Sequence, residues 1–126
     1  MGQGMIRLVP VLALLGAAAS LHAQQPAPLS VEHRMILRCS AAFALVSHRQ
    51  EMGDAKALSY PRLGPEAREY FVRAAASVMD EAGLDEEGIG AAMATEARDL
   101  VENDSVAPVM EVCLPQLGRA GDVQRR

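Results

Sequence analysis

The sequence predicts an all-α chain. Three or four helices form a small bundle behind a cleaved signal peptide, and one disulfide joins the first helix to the last. Three observations predict this. Apolar residues recur at about 100° per residue, and no segment alternates with a period of two. Two cysteines, Cys39 and Cys113, stand far apart in the chain. A short apolar run follows a single positive charge at the N-terminus. The length, 126 residues, suits one domain, and a hydrophobic content of 50% speaks against disorder. Two Phe, two Tyr and no Trp argue against a binder that stacks single-stranded bases. A formal charge of −4 removes the phosphate-neutralising attraction of a DNA-binding domain, so no nucleic-acid partner is expected.

Residues 1–23 read as an export signal. Arg7 supplies the positive start, and Leu8 to Ala19 is apolar. That run is short against the roughly 20 residues a bilayer span requires. Ala17-Ala18-Ala19 and Leu21-His22-Ala23 are alternative cleavage sites, after Ala19 or after Ala23. No Cys follows the run to carry a lipid, and no twin arginine precedes it. The expected destination is the periplasm or the exterior, with no stable membrane insertion after cleavage. The mature chain is small, buries a modest fraction of its surface and benefits from a crosslink.

Cys39 and Cys113 supply it. An exported pair faces an oxidising compartment and normally bonds. Their separation is 74 positions, and closing that loop is worth about 4.5 kcal/mol on chain entropy. There is no Cys-x-x-Cys, and His33 and His48 show no ligand spacing to either thiol.

Residues 24–29 carry two prolines and read as an extended leader; 30–118 is the helical domain. Ser30 stands as the N-cap of the first helix, with Glu32 in its first turn. Met35, Ile36, Cys39, Ala42, Phe43 and Val46 share one arc, and Leu37, Ala41 and Ala44 lie opposite. A helix apolar on two faces is central in its bundle or meets another subunit; the half-cystine favours the central place. From Glu51 to Leu63 a loop is expected, with a short turn at Asp54 to Leu58.

Gly64-Pro65-Glu66 opens the second long helix, since Pro is tolerated in a first turn. Its stripe is Ala67, Phe71, Ala74, Ala75, Val78 and Ala82, with Glu69 and Arg73 as an i,i+4 pair. Gly83 ends it and Leu84 folds back. Asp85 caps the next helix, whose stripe is Ile89, Met93, Ala97, Leu100 and Val101. Asn103-Asp104-Ser105 is a break, and Ser105 caps the last helix with Pro108 in its first turn. Pro115 is expected to end or kink that helix. Residues 119–126 are expected to form a disordered tail.

The sequence carries no catalytic, cofactor or metal signature. Asp85, Glu87, Gly90 and Glu96 fit offsets of a calcium loop, but Ile89 occupies a ligand position and the segment looks helical. Gly88-Ile89-Gly90 follows no strand and lacks the rest of a nucleotide loop. His33 and His48 are about 22 Å apart along one helix at about 1.5 Å per residue, too far for one metal. His33 and Met110 sit on the first and last helices, the arrangement of a haem-holding bundle, without a Cys-x-x-Cys-His. Glu96 falls at the edge of its stripe, at the rim or facing an arginine of the first helix. The strongest charge feature is the segment from Asp80 to Asp104. It holds Asp80, Glu81, Asp85, Glu86, Glu87, Glu96, Asp99, Glu102 and Asp104 against Arg98 alone. It reads as a solvated face with internal pairing, or as a docking surface for a basic envelope partner.

Cys39-Ser40-Ala41-Ala42-Phe43-Ala44-Leu45-Val46, Tyr60-Pro61-Arg62-Leu63-Gly64, Arg68-Glu69-Tyr70-Phe71-Val72-Arg73 and Val112-Cys113-Leu114-Pro115 follow the signal peptide. Together they resemble small uncharacterised exported helical proteins of proteobacteria, a group that implies no activity. A looser likeness, in class alone, is to HdeA-type periplasmic acid-stress chaperones. The expected function is a non-enzymatic interaction or accessory module. The alternatives are an acid-stress chaperone, and a ligand binder or enzyme whose site the sequence does not advertise.

Overall fold

A computed structural model describes residues 28–124 of the chain, with side chains through residue 119. The expected signal peptide, most of the expected leader and the last two residues lie outside that range. Five helices form the bundle, and no strand occurs among the described residues: α1 Val31–Glu51, α2 Ala55–Leu58, α3 Gly64–Ala82, α4 Glu86–Glu102 and α5 Val106–Gln124. No helix among them is long and apolar enough to cross a membrane.

Local chemistry sets the ends of these helices. The Ser30 hydroxyl accepts from the His33 N–H at 3.0 Å. The Asp54 carboxylate accepts from Ala57 at 2.9 Å, which turns the expected short turn into one helical turn, α2. Pro65 sits in the first turn of α3. Gly83 ends α3 at φ 66°, a left-handed conformation that only glycine adopts without cost. The Asp85 carboxylate accepts from the Gly88 N–H at 2.8 Å. A Cβ at Gly88 would come within 3.2 Å of that carboxylate, so glycine lets the cap close.

The centre of the bundle is α1, which packs against each of the other four helices. Leu37 and Ala41 are as deeply buried as Cys39, Ala42, Phe43 and Val46, so both faces are covered. Cys39 and Cys113 form the disulfide between α1 and α5, with Cα atoms 5.5 Å apart and both residues fully buried. Around it lies the main core, containing Phe43, Leu63, Leu100 and Met110. The Tyr70 ring meets Phe43 edge-on at 5.2 Å, and its hydroxyl donates to Gln116 Oε1 at 2.9 Å, joining α3 to α5. Burial pushes the Tyr70 phenol up. A second, smaller core of Leu37, Val78 and Ile89 joins α1, α3 and α4.

Gln50 organises the corner between α1 and α3. Its amide nitrogen donates to the carbonyls of Ala57 (3.0 Å), Tyr60 (3.3 Å) and Pro61 (2.9 Å). Its oxygen accepts from the Leu63 N–H at 3.3 Å. A buried side chain thus satisfies backbone groups that a loop would otherwise leave unpaired.

Several positions depart from the sequence expectation. Met35, Phe71 and Val101 are exposed rather than in the core: Val101 lies at the edge of its helix's stripe while Leu100 takes the centre, and Met35 and Phe71 border open recesses. Pro115 does not end α5, which continues to Gln124, so helix replaces most of the expected disordered tail. Pro115 and Glu111, the residue whose carbonyl loses its partner, both lie on the exposed side, where water can solvate that oxygen. The Ser105 hydroxyl, expected to cap α5, accepts from Arg38 instead.

Candidate functional site

Two features occupy the seam between α1 and α4. The first is polar. Arg38 Nη1 donates to Glu96 Oε2 at 2.9 Å and to Asp99 Oδ2 at 2.6 Å, and Nη2 donates to Ser105 Oγ at 3.2 Å. Arg34 Nε stands 3.7 Å from the other oxygen of Glu96. Glu96 is 7% exposed, so it meets an arginine of the first helix and is not a surface acid. Its burial is tolerable because the charge is paired and hydrogen-bonded. The Asp99 and Glu96 carboxylates raise the Arg38 pKa, the hydrogen bond to Asp99 contributing most.

The second feature is apolar. A groove of about 450 Å³ is lined by Ala41, Ala44, Leu45 and His48 of α1, Phe71 of α3, and Gly90, Met93, Ala94 and Ala97 of α4. Glycine and alanine floor it because α1 and α4 meet through small side chains, which leave space where larger ones would fill it. Phe71, 38% exposed, forms one wall. A smaller recess of about 250 Å³ continues it between α1 and α3, sharing Ala44, His48 and Phe71 and adding Arg68 and Glu51. Among the described residues, the only titratable side chain on the larger groove is His48. A surface of this kind can hold an apolar side chain; it does not set a nucleophile against a base.

The acidic segment resolves into separate roles. Glu96 and Asp99 hold Arg38, Asp85 caps α4, and Glu81 lies 2.9 Å from His33 Nε2. Asp80, Glu86, Glu87, Glu102 and Asp104 stay exposed. Internal pairing therefore takes a large share of the charge read as a docking face. Ser77 donates to Glu81 at 2.8 Å, and the bonds from His33 and Ser77 hold the Glu81 carboxyl below the usual carboxylate range. Ser77 points its proton at the acid and not at the imidazole, so the trio activates no nucleophile.

The remaining sequence candidates do not assemble. Glu87, Gly90 and Glu96 all lie within α4, so no calcium loop forms there. Among the described residues no group of three His, Cys, Asp or Glu could hold a metal ion. His33 faces Glu81 and Met110 is sealed in the main core, so each has another partner. Sequence reasoning missed Gln50 and the His33–Glu81 pair; a glutamine at the buried end of an apolar arc was the one available signal for the first.

Comparison with known proteins gives no further guide: no family model matches the chain, and neither the curated proteins nor the solved structures contain a match.

Proposed function

We propose that the mature chain is an exported, non-enzymatic interaction module that binds another envelope protein through the groove between α1, α3 and α4. The groove carries this reading. Its walls are apolar, Phe71 stands partly in water beside it, and small residues allow a partner's side chain to approach closely. The buried disulfide supports the export half of the proposal, because such bonds persist in oxidising compartments.

The test is crosslinking and pull-down of the tagged chain from envelope extracts, beside an Ala94→Arg variant. Ala94 is exposed, so the variant keeps its fold while an arginine fills the groove. The expected result is one partner recovered by the native chain and lost by the variant at unchanged melting temperature. A partner recovered equally by both would place the interface elsewhere; the exposed acids Asp80, Glu86 and Glu87 are the next surface to test. Failure to recover any partner would count against the module reading.

A second reading, an acid-stress chaperone of HdeA-like type, draws on the ionic attachment of α4. Losing carboxylate charge at pH 2–3 weakens that attachment and leaves the chain strongly positive. It predicts suppression of client aggregation at about pH 2–3 and none at neutrality.

A further inference from the structure

Three side chains of α4 are buried: Ile89, Glu96 and Leu100. One of those three is a carboxylate. The buried residues of α3 are all apolar, and α1 and α5 are joined covalently. Of the long helices, α4 therefore depends most on charge for its place. Its packing against α1 is the most extensive of any helix pair, with less against α3, and the ionic groups stand within that seam beside Leu100 of the main core.

We propose that α4 is a detachable flap, held on α1 by the ionic latch of Arg38, Glu96 and Asp99. Loss of the carboxylate charge releases it, while Cys39–Cys113 keeps α1, α3 and α5 together. The latch is reachable from solvent: the Arg38 side chain is 24% exposed and that of Asp99 44%. The groups facing the two carboxylates come from each neighbouring element. From α1 they are Arg34 and Arg38. From the turn before α5, Ser105 shares Arg38, and Asn103 Nδ2 donates to Asp99 Oδ1 at 2.8 Å. The ion pair of α3, at Glu81, goes to His33 and not to the latch.

A neutral Glu96 would leave Arg38 short of charge in a part-buried site, a loss that the apolar contacts of Ile89, Met93 and Leu100 have to carry. Local opening of one such unit is ordinary behaviour for a folded domain. Release uncovers Leu37, Ala41 and Leu45 on α1 and converts the groove into an open apolar face. The flap borders the docking face proposed above, but it requires neither a partner nor export.

Hydrogen exchange on the oxidised chain, read by peptide and corrected for intrinsic rates, tests it. In the native sequence, acidification from pH 7 to pH 3 should speed exchange in α4 at least ten-fold relative to α1, α3 and α5. Glu96→Gln with Asp99→Asn should do the same at pH 7. A second variant, Arg38→Met with Glu96→Leu, replaces the pair by apolar groups and should keep α4 protected across the same pH range. Simultaneous loss of protection in all helices would overturn the proposal. So would a pH profile for the apolar variant identical to that of the native chain.

Discussion

The two flanks of α1 are attached by different physics. Toward α5 and α3, the contacts are a disulfide, a Phe43–Tyr70 ring pair and a continuous apolar core. Toward α4, the contacts are small residues, Ile89, Met93 and Leu100, the last of them part of that same core, and an arginine shared between two carboxylates. The first kind of attachment responds little to salt or pH. The second consists of groups that both can change. A small bundle can thus place durable and conditional contacts on opposite sides of one helix.

The largest expected effect breaks the durable flank. Cys39→Ser with Cys113→Ser should cost about 4.5 kcal/mol of stability, measured by urea unfolding under oxidising conditions. Next comes the conditional flank. Arg38→Ala should cost about 3 kcal/mol, the low end for breaking a buried pair because water reaches the site. Its loss should shrink when Glu96→Gln is added, and a double-mutant cycle would measure that coupling.

A third prediction probes the corner that both flanks share. Gln50→Ala should cost about 2 kcal/mol, because buried carbonyls of the α2 segment and the Leu63 N–H lose their partner. Early proteolysis between residues 53 and 63 would accompany it. Tyr70→Phe removes only the bond to Gln116 and should cost about 1 kcal/mol, read as a small shift in denaturant midpoint at unchanged slope.

The smallest effect concerns Glu81. Its carboxyl is held below the ordinary range, first by His33 and then by Ser77. That contribution is complete above the unfolded carboxylate value and disappears as pH falls through the lowered one. His33→Ala should lower the plateau above the unfolded carboxylate value slightly, leave stability at the lowest pH unchanged and so flatten the acid limb of the stability–pH curve. A steepened acid limb would contradict the sign.

The helices and their ends were legible because short-range chemistry determines them. Ser30, Asp85, Gly83 and Pro65 act within a few residues of where they stand, and the helical apolar period needs no tertiary information. The pairing of Cys39 with Cys113 was legible because no other cysteine was available. Gln50 was not legible: its four partners lie 7 to 13 residues ahead, in a segment without a period. The Arg38 latch was visible only as a possibility at Glu96, since its closing distance depends on how α4 crosses α1. The groove could not be read at all, because it is space left between helices and has no residue of its own.

Cys39 and Cys113 enclose the whole of α2, α3 and α4. The oxidised chain is therefore a closed ring from Cys39 to Cys113 with an arm on either side. A protease that cuts once inside the ring leaves both fragments covalently joined, visible as two bands only after reduction. A cut in either arm releases its piece at once, so single-hit cleavage under non-reducing and reducing conditions maps which backbone lies inside the ring.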